Sequence, residues 1–175
     1  MMTDMSTAWK LFRVVCVLQL LAIVAQLVIS AIGLMTPQTF FYSFTGIVIY
    51  TVIFLFVLQA LSMINQNYPD TPLSPRQKKK FNWLFILNFA AIAFLFGVVV
   101  GEWKTTLPLL AAIKARVGTV LLIGFPLILS IMAFLFHLIL LFGMYRLRRT
   151  IYHNTIERWQ QQFGDSASPT SSKFH

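Results

Sequence analysis

The sequence predicts an all-α integral membrane protein in which four transmembrane helices form a bundle. The first observation is composition, because 58% of the 175 residues are hydrophobic and only 11% are charged, with a mean hydropathy of +0.75. Too few polar side chains remain to cover a water-facing surface. The second observation is four long stretches without a charged residue, and the third is the uneven distribution of Lys and Arg around them.

Each uncharged stretch is long enough to form a membrane-spanning helix. The stretches cover residues 14–35, 40–64, 81–101 and 117–145. A helix needs roughly 20 residues to cross about 30 Å of hydrocarbon. Because the stretches lack the alternating pattern of barrel strands, helices are expected. The first stretch is long for a secretory signal and has no good cleavage site, so we expect a retained helix.

Lys and Arg lie mainly on one side of the predicted spans. The segments before residue 14, between residues 64 and 81, and after residue 145 carry 11 of the 14 cations, whereas the two other loops carry 3. By the positive-inside rule, this distribution predicts that both termini are cytoplasmic. The expected location is a plasma membrane, with a bacterial inner membrane favoured.

The third helix is preceded by a helix-start signal and a cluster of cations. Ser74 and Gln77 have the spacing of a capping box, and Pro75 suits the first helical position. The cluster consists of Arg76, Lys78, Lys79 and Lys80. These cations oppose the helix dipole but are favourable at an anionic membrane surface. They indicate a topology signal or the recruitment of anionic lipid headgroups, and the topology signal is favoured.

Each predicted span carries one hydrogen-bonding side chain near its cytoplasmic end. These side chains are Gln19, Gln59, Asn88 and His137. Counted from the inner boundary of each stretch, they lie roughly 7 to 12 Å deep. Because unpaired polar groups are costly in hydrocarbon, we expect them to face one another in an intramembrane polar layer. The layer either holds the helices together, which is favoured, or forms a site in which His137 is a proton relay or ligand.

The third span has a face of small residues that favours close helix packing. Gly97 and Gly101 form a G-x-x-x-G spacing, and Ala90 and Ala93 extend the same face. Asn88 lies on roughly the opposite side of the helix. Two packing faces predict two neighbours, namely the rest of this chain and, as a hypothesis, a second subunit. Packing within the chain is the expected use of the glycines.

The segment after the fourth stretch predicts a cytoplasmic amphipathic helix over residues 146–163. Its aligned apolar side chains are Leu147, Ile151, Tyr152, Ile156, Trp159 and Phe163. Such a face is typical of a helix that binds a membrane surface or a partner groove. One membrane domain would thus cover residues 1–163, followed by a Ser- and Pro-rich disordered tail at 164–175. On the opposite side, residues 102–118 predict a short interfacial helix.

The sequence contains no catalytic constellation. All five acidic residues lie outside the predicted spans, which leaves no intramembrane carboxylate pair for acid–base or metal chemistry. A single histidine within the spans cannot supply a bis-histidine haem site in one chain. We therefore expect no enzyme activity, no cofactor and no metal site. The cations flank membrane segments, so nucleic-acid binding is not indicated either.

Two functions are compatible with these patterns. The favoured prediction is a non-enzymatic membrane protein that serves as an interaction, accessory or regulatory subunit. Its expected partners are the lipid bilayer, anionic lipid headgroups, and a second copy or another membrane protein. The alternative is a small transporter or channel subunit built around the His137 polar layer.

Overall fold

This computed structural model describes residues 6–112 and 117–164. All regular secondary structure within these residues is α-helical. The four helices are α1 Thr7–Gly33, α2 Phe40–Gln66, α3 Pro75–Ala112 and α4 Val117–Gly164. All four are long and apolar enough to cross a membrane, which confirms the prediction of four such helices. The predicted disordered tail lies outside the described residues from position 165 onward.

The start of α3 follows the predicted capping pattern. The Ser74 backbone N–H donates to Gln77 Oε1 at 2.8 Å, and the Gln77 backbone N–H donates to Ser74 Oγ at 3.2 Å. Pro75 is the first helical residue. The reciprocal bonds satisfy two backbone groups at the helix terminus. The cation cluster therefore lies on the first two turns of α3, before the apolar part of the helix begins.

The prediction of a separate interfacial helix over residues 102–118 is wrong for residues 102–112, because α3 continues through Pro108 to Ala112. A proline inside a helix removes one backbone hydrogen bond, here the bond to the carbonyl of Lys104. Lys104 is exposed, so that carbonyl is accessible to other partners. One turn earlier, Thr105 Oγ1 donates to the Gly101 carbonyl at 3.1 Å. Residues 113–116 of the predicted segment lie outside the described residues.

Residues 146–163 are a continuation of α4, which extends to Gly164. The predicted apolar face is also divided between two environments. Leu147 and Ile151 are fully buried, whereas Tyr152 is 65% exposed and Ile156 is 37% exposed. The first two therefore pack inside the molecule and are not available to a membrane surface or a partner.

The α2–α3 loop covers one side of this part of α4. Asn154 Nδ2 donates to the Pro69 carbonyl, and Thr155 Oγ1 donates to the Asp70 carbonyl, both at 2.9 Å. Arg158 forms an ion pair with the Asp70 carboxylate at 3.3 Å. Hydrophobic periodicity in a single helix cannot reveal a loop that is remote in sequence, which explains why the division of the face was not predicted.

The contacts between the four helices close into a ring. α1 contacts α2 and α4, α3 contacts the same two helices, and α2 also contacts α4. Over the described residues, α1 and α3 do not contact each other. Many of the most buried side chains lie in the first half of α1, the second half of α2 and the later part of α4. They include Cys16 of α1, Phe56, Val57, Ala60 and Met63 of α2, and Leu140, Met144 and Leu147 of α4.

Candidate functional site

His137 lies fully buried at the contact between α3 and α4. It belongs to an inward-facing row on α4 that includes Ser130, Ala133 and Leu140. Its Nε2 lies 2.8 Å from the backbone carbonyl of Asn88. A carbonyl oxygen can only accept, so Nε2 must carry the hydrogen. The neutral imidazole therefore presents Nδ1 as an acceptor on its other edge.

Asn88 is the matching buried residue of α3, but its side chain does not bond the imidazole. Asn88 Nδ2 donates to the Leu84 carbonyl at 2.7 Å and reaches the Val52 carbonyl of α2 at 3.5 Å. Asn88 thus links α3 to α2 through its side chain and to α4 through its carbonyl. The residue sits where three helices meet.

Gln19 supplies a polar group from α1 close to the same level. It is fully buried, and its Nε2 donates to the Ala133 carbonyl at 3.3 Å. Ala133 and His137 are four residues apart, so they lie one turn apart on the same face of α4. Gln19, Asn88 and His137 therefore form one polar cluster around α4, which we call the polar cluster.

Gln59 does not join the polar cluster. Its Nε2 donates to the Gln77 carbonyl at 3.4 Å, at the first turn of α3. Val52, which faces Asn88, lies seven residues earlier on α2, which corresponds to roughly 10 Å along the helix. The predicted layer of four residues thus divides into two levels. The sequence-based depth was counted from the first uncharged residue of each stretch, but α3 begins at Pro75, six residues before its uncharged stretch. The counted depths of Gln59 on α2 and Asn88 on α3 are therefore not comparable.

Each of the four predicted residues has one buried polar atom without a hydrogen-bond partner among the described residues. The atoms are Gln19 Oε1, Gln59 Oε1, Asn88 Oδ1 and His137 Nδ1 in its neutral form. All four are acceptors, because each amide nitrogen already donates to a carbonyl. An unsatisfied buried acceptor costs roughly 1–3 kcal/mol. The complementary species is therefore a donor, such as a water molecule or a protonated group, and not an anion.

The polar cluster has no acidic side chain and no thiolate ligand set. Over the described residues, no group of three or more His, Cys, Asp or Glu side chains is placed to hold a metal ion. Cys16 is buried one turn before Gln19, with its thiol in an apolar environment. The chemistry available to the cluster is hydrogen-bond acceptance and, at His137, proton exchange.

Gly97 and Gly101 do not pack against another described residue, contrary to the expected use of these glycines. A Cβ built at either position would meet no atom within 4 Å. Ala90 and Ala93 on the same face are also exposed. The tightly packed glycines lie elsewhere, with Gly33 against Ser43 and Gly143 against Phe12. The reason is that α3 turns its other face, through Asn88 and its neighbours, toward α2 and α4.

The four predicted cations Arg76, Lys78, Lys79 and Lys80 are exposed on the first turns of α3. Sequence reasoning did not place Arg148 and Arg149 beside them. Arg148 and Arg149 follow the uncharged stretch of α4, and the lysines precede the uncharged stretch of α3. This position beside an uncharged stretch is the sequence signal that could have placed both groups at the same end of the molecule. Lys78, Arg148 and Arg149 line one surface groove.

Comparison of the chain with protein-family models, with curated proteins and with solved structures finds no match in any of the three. The observations that bear on function are therefore the sequence and the arrangement of its side chains.

Proposed function

We propose that this chain is a non-enzymatic, multi-pass membrane protein that acts as an interaction, accessory or regulatory subunit. In this proposal the four helices form a bundle in the plasma membrane, of a bacterial cell by default, with both termini in the cytoplasm. The observation that carries it is the open face of α3, which consists of the exposed residues Ala90, Ala93, Gly97 and Gly101; no described atom lies within 4 Å of a Cβ built at either glycine. Reporter fusions at the two ends that fall on opposite sides of the membrane would contradict the orientation.

The open face of α3 suits a second membrane helix. In lipid, helix association depends on close packing, and small residues let two backbones approach. The chain already uses this device internally, since Gly33 packs against Ser43 and Gly46 lies close to Ser30. The glycines of α3 have the same chemistry without an internal neighbour. We take the occupant to be α3 of a second copy, because the same face can pack on itself around a two-fold axis.

A cysteine-crosslinking experiment tests the proposed subunit contact. We expect Gly97→Cys, in a Cys16→Ala background, to give a disulfide-linked dimer in native membranes under mild oxidation. Phe96→Cys is the matched control, because Phe96 is exposed at the same depth but points about 100° away around the helix. The control should stay monomeric.

Two results would count against the proposed contact. If neither cysteine variant crosslinks in native membranes, a second copy does not occupy this face. If both crosslink equally, the contact reflects random collision and not a defined interface. A selective dimer of the Gly97→Cys variant supports the proposal.

A small transporter or channel subunit is the second candidate function, favoured by the unpaired acceptor atoms of the polar cluster. Three buried acceptors on three helices could pass a proton or a small donor across the inner part of the bundle. His137 would carry the proton, because its imidazole is the side chain of the polar cluster that can both accept and release one.

Substituting His137 separates the two candidates. Proton flux into dye-loaded proteoliposomes is measured for the wild type, His137→Leu and the control His153→Leu, which removes an exposed histidine from the same helix. The accessory-subunit proposal expects the same flux in all three and in empty vesicles. Transport through His137 requires wild-type flux that His137→Leu abolishes and His153→Leu retains. Loss of one buried hydrogen bond should change stability by only about 0.6 kcal/mol, so the His137→Leu protein is expected to fold.

A further inference from the structure

A groove lies between the α2–α3 loop, the first turn of α3 and the part of α4 that follows Tyr145. It has a volume of about 440 Å³. Its inner wall includes Leu73 and Ile151, which are both buried, and Tyr145 lines the end nearest the apolar stretch of α4. The groove therefore begins where the apolar stretch of α4 ends.

Three cations line the groove, and two of them lie within about one helical turn of Tyr145. Lys78 comes from α3, and Arg148 and Arg149 come from α4. Lys78 and Arg149 are exposed, whereas Arg148 is half-buried. Cations contributed by two separate helices converge on one concave surface, which distinguishes this arrangement from a charged stripe along a single helix.

Arg148 is held in position by neutral groups. Its Nη1 donates to Asn82 Oδ1 at 2.6 Å, and its guanidinium lies over the ring of Phe81, 4.7 Å from the centroid. Neither contact neutralises the charge. A guanidinium has five N–H donors, so most of its hydrogen-bonding capacity is left for an anion.

Two acidic side chains at this end of the molecule already have partners outside the three cations. Asp70 pairs with Arg158 at 3.3 Å, and Glu157 lies 3.1 Å from His153. Within residues 6–112 and 117–164, no carboxylate lies within 4 Å of a cationic nitrogen of Lys78, Arg148 or Arg149. The groove thus places three positive charges without a carboxylate partner among the described residues next to the end of the apolar stretch of α4.

We propose that this groove binds one phospholipid with an anionic headgroup. The phosphate would lie against Lys78, Arg148 and Arg149, and an acyl chain would run past Tyr145 onto the apolar stretch of α4. An anionic amphiphile matches both features, because a soluble phosphate would leave the apolar stretch uncovered and a neutral lipid would leave the cations uncompensated. The site is independent of the α3 face and of the polar cluster.

Lipid retention by the full-length protein tests this site. The probes are dioleoylphosphatidylglycerol and dioleoylphosphatidylcholine, added to protein in neutral detergent and counted by native mass spectrometry, with inorganic phosphate as competitor. The test variant Lys78→Gln/Arg149→Gln removes two exposed charges that line the groove. The matched control Arg76→Gln/Lys79→Gln removes two exposed charges from the same end of the molecule outside it.

We expect the wild type to retain one phosphatidylglycerol in preference to phosphatidylcholine. The test variant should bind phosphatidylglycerol roughly thirtyfold more weakly, from the typical contribution of two cations at an anionic surface. The control should lose less than about threefold, as expected for diffuse attraction alone. Arg148→Gln is a less clean probe, because it also removes the contacts with Asn82 and Phe81.

Three results would overturn the proposal. Equal losses in the two double variants would mean that the cations attract lipid without a defined site. Equal retention of the two lipids by the wild type would exclude recognition of headgroup charge. Displacement of the lipid by millimolar inorganic phosphate would identify a soluble anion as the ligand.

Discussion

Replacing Gly143 with leucine is expected to destabilise the protein more than any other substitution considered above. A Cβ at position 143 would overlap the ring of Phe12, which joins α1 to α4. Phe12 in turn packs edge-to-face on Trp9 at 5.9 Å, and Trp9 contacts Tyr68 at 5.6 Å. Displacement of the Phe12 ring would therefore spread to α1 and to the α2–α3 loop.

The size of the effect depends on how far the ring must move. Overpacking typically costs roughly 1–3 kcal/mol, and more where the backbone must shift. A cleft of about 320 Å³ borders Phe12 and Gly143, so the ring has room to accommodate one methyl group. For Gly143→Ala, this cost is offset by the roughly 1 kcal/mol by which alanine favours a helix over glycine. Alanine should therefore be nearly neutral, whereas leucine should lower the free energy of unfolding by about 3 kcal/mol or more.

Thermal unfolding in detergent measures the difference, with Gly97→Leu as the control. The control makes the same chemical change in a helix, but no atom lies within 4 Å of the Cβ position at Gly97. Gly97→Leu should unfold within a few degrees of the wild type when both are monomeric. If Gly143→Leu unfolds at the same temperature as Gly97→Leu, the close contact between α1 and α4 at Phe12 does not contribute to stability.

Replacing Phe81 with alanine is expected to lower the free energy of unfolding by at least as much as Gly143→Leu, and it should also weaken lipid binding in the groove. Phe81 is buried, stacks on Phe85 at 5.5 Å and contacts Phe56 at 6.3 Å. Truncating a buried phenylalanine costs roughly 3–5 kcal/mol. The Arg148 guanidinium also loses the ring beneath it, a contact worth about 0.5–2 kcal/mol. The variant should unfold at lower temperature and retain less phosphatidylglycerol.

Two further variants separate these contributions. Phe81→Leu keeps most of the apolar volume but removes the aromatic face, so it should recover most of the stability and less of the lipid retention. Phe89→Ala truncates an exposed phenylalanine of the same helix and should change stability by no more than about 0.5 kcal/mol. Equal lipid retention by Phe81→Leu and the wild type would show that the ring does not position Arg148.

The spans were predictable because a helix in hydrocarbon must be long and uncharged, and both properties can be read from the sequence. The start of α3 was predictable for a local reason, since Ser74, Pro75 and Gln77 form a terminus by contacts within four residues. The burial of Asn88 and His137 was also expected from the cost of polar groups in lipid. None of these inferences requires knowledge of how the helices are arranged.

The features that were not predicted depend on the relative positions of helices. The level of Gln59 was misplaced because charges mark the membrane boundary and not the point at which α2 and α3 come level. The glycines of α3 have a spacing that is equally suited to internal and external contacts, and only the arrangement of the helices decides between them. The groove was missed because Lys78 and Arg149 are 71 residues apart in the sequence.

Because α4 is 48 residues long, a small change in its direction near the beginning would displace its far end by a much larger distance. Pro126 lies near its beginning, beside Gly124, and weakens the backbone there without ending the helix. The stretch from Pro126 to Gly164 extends roughly 57 Å, so a rotation of about 5° at the proline would displace the distant end by about 5 Å. That end is attached to the α2–α3 loop through Pro69 and Asp70. A small change in helix direction at Pro126 would thus move the α2–α3 loop.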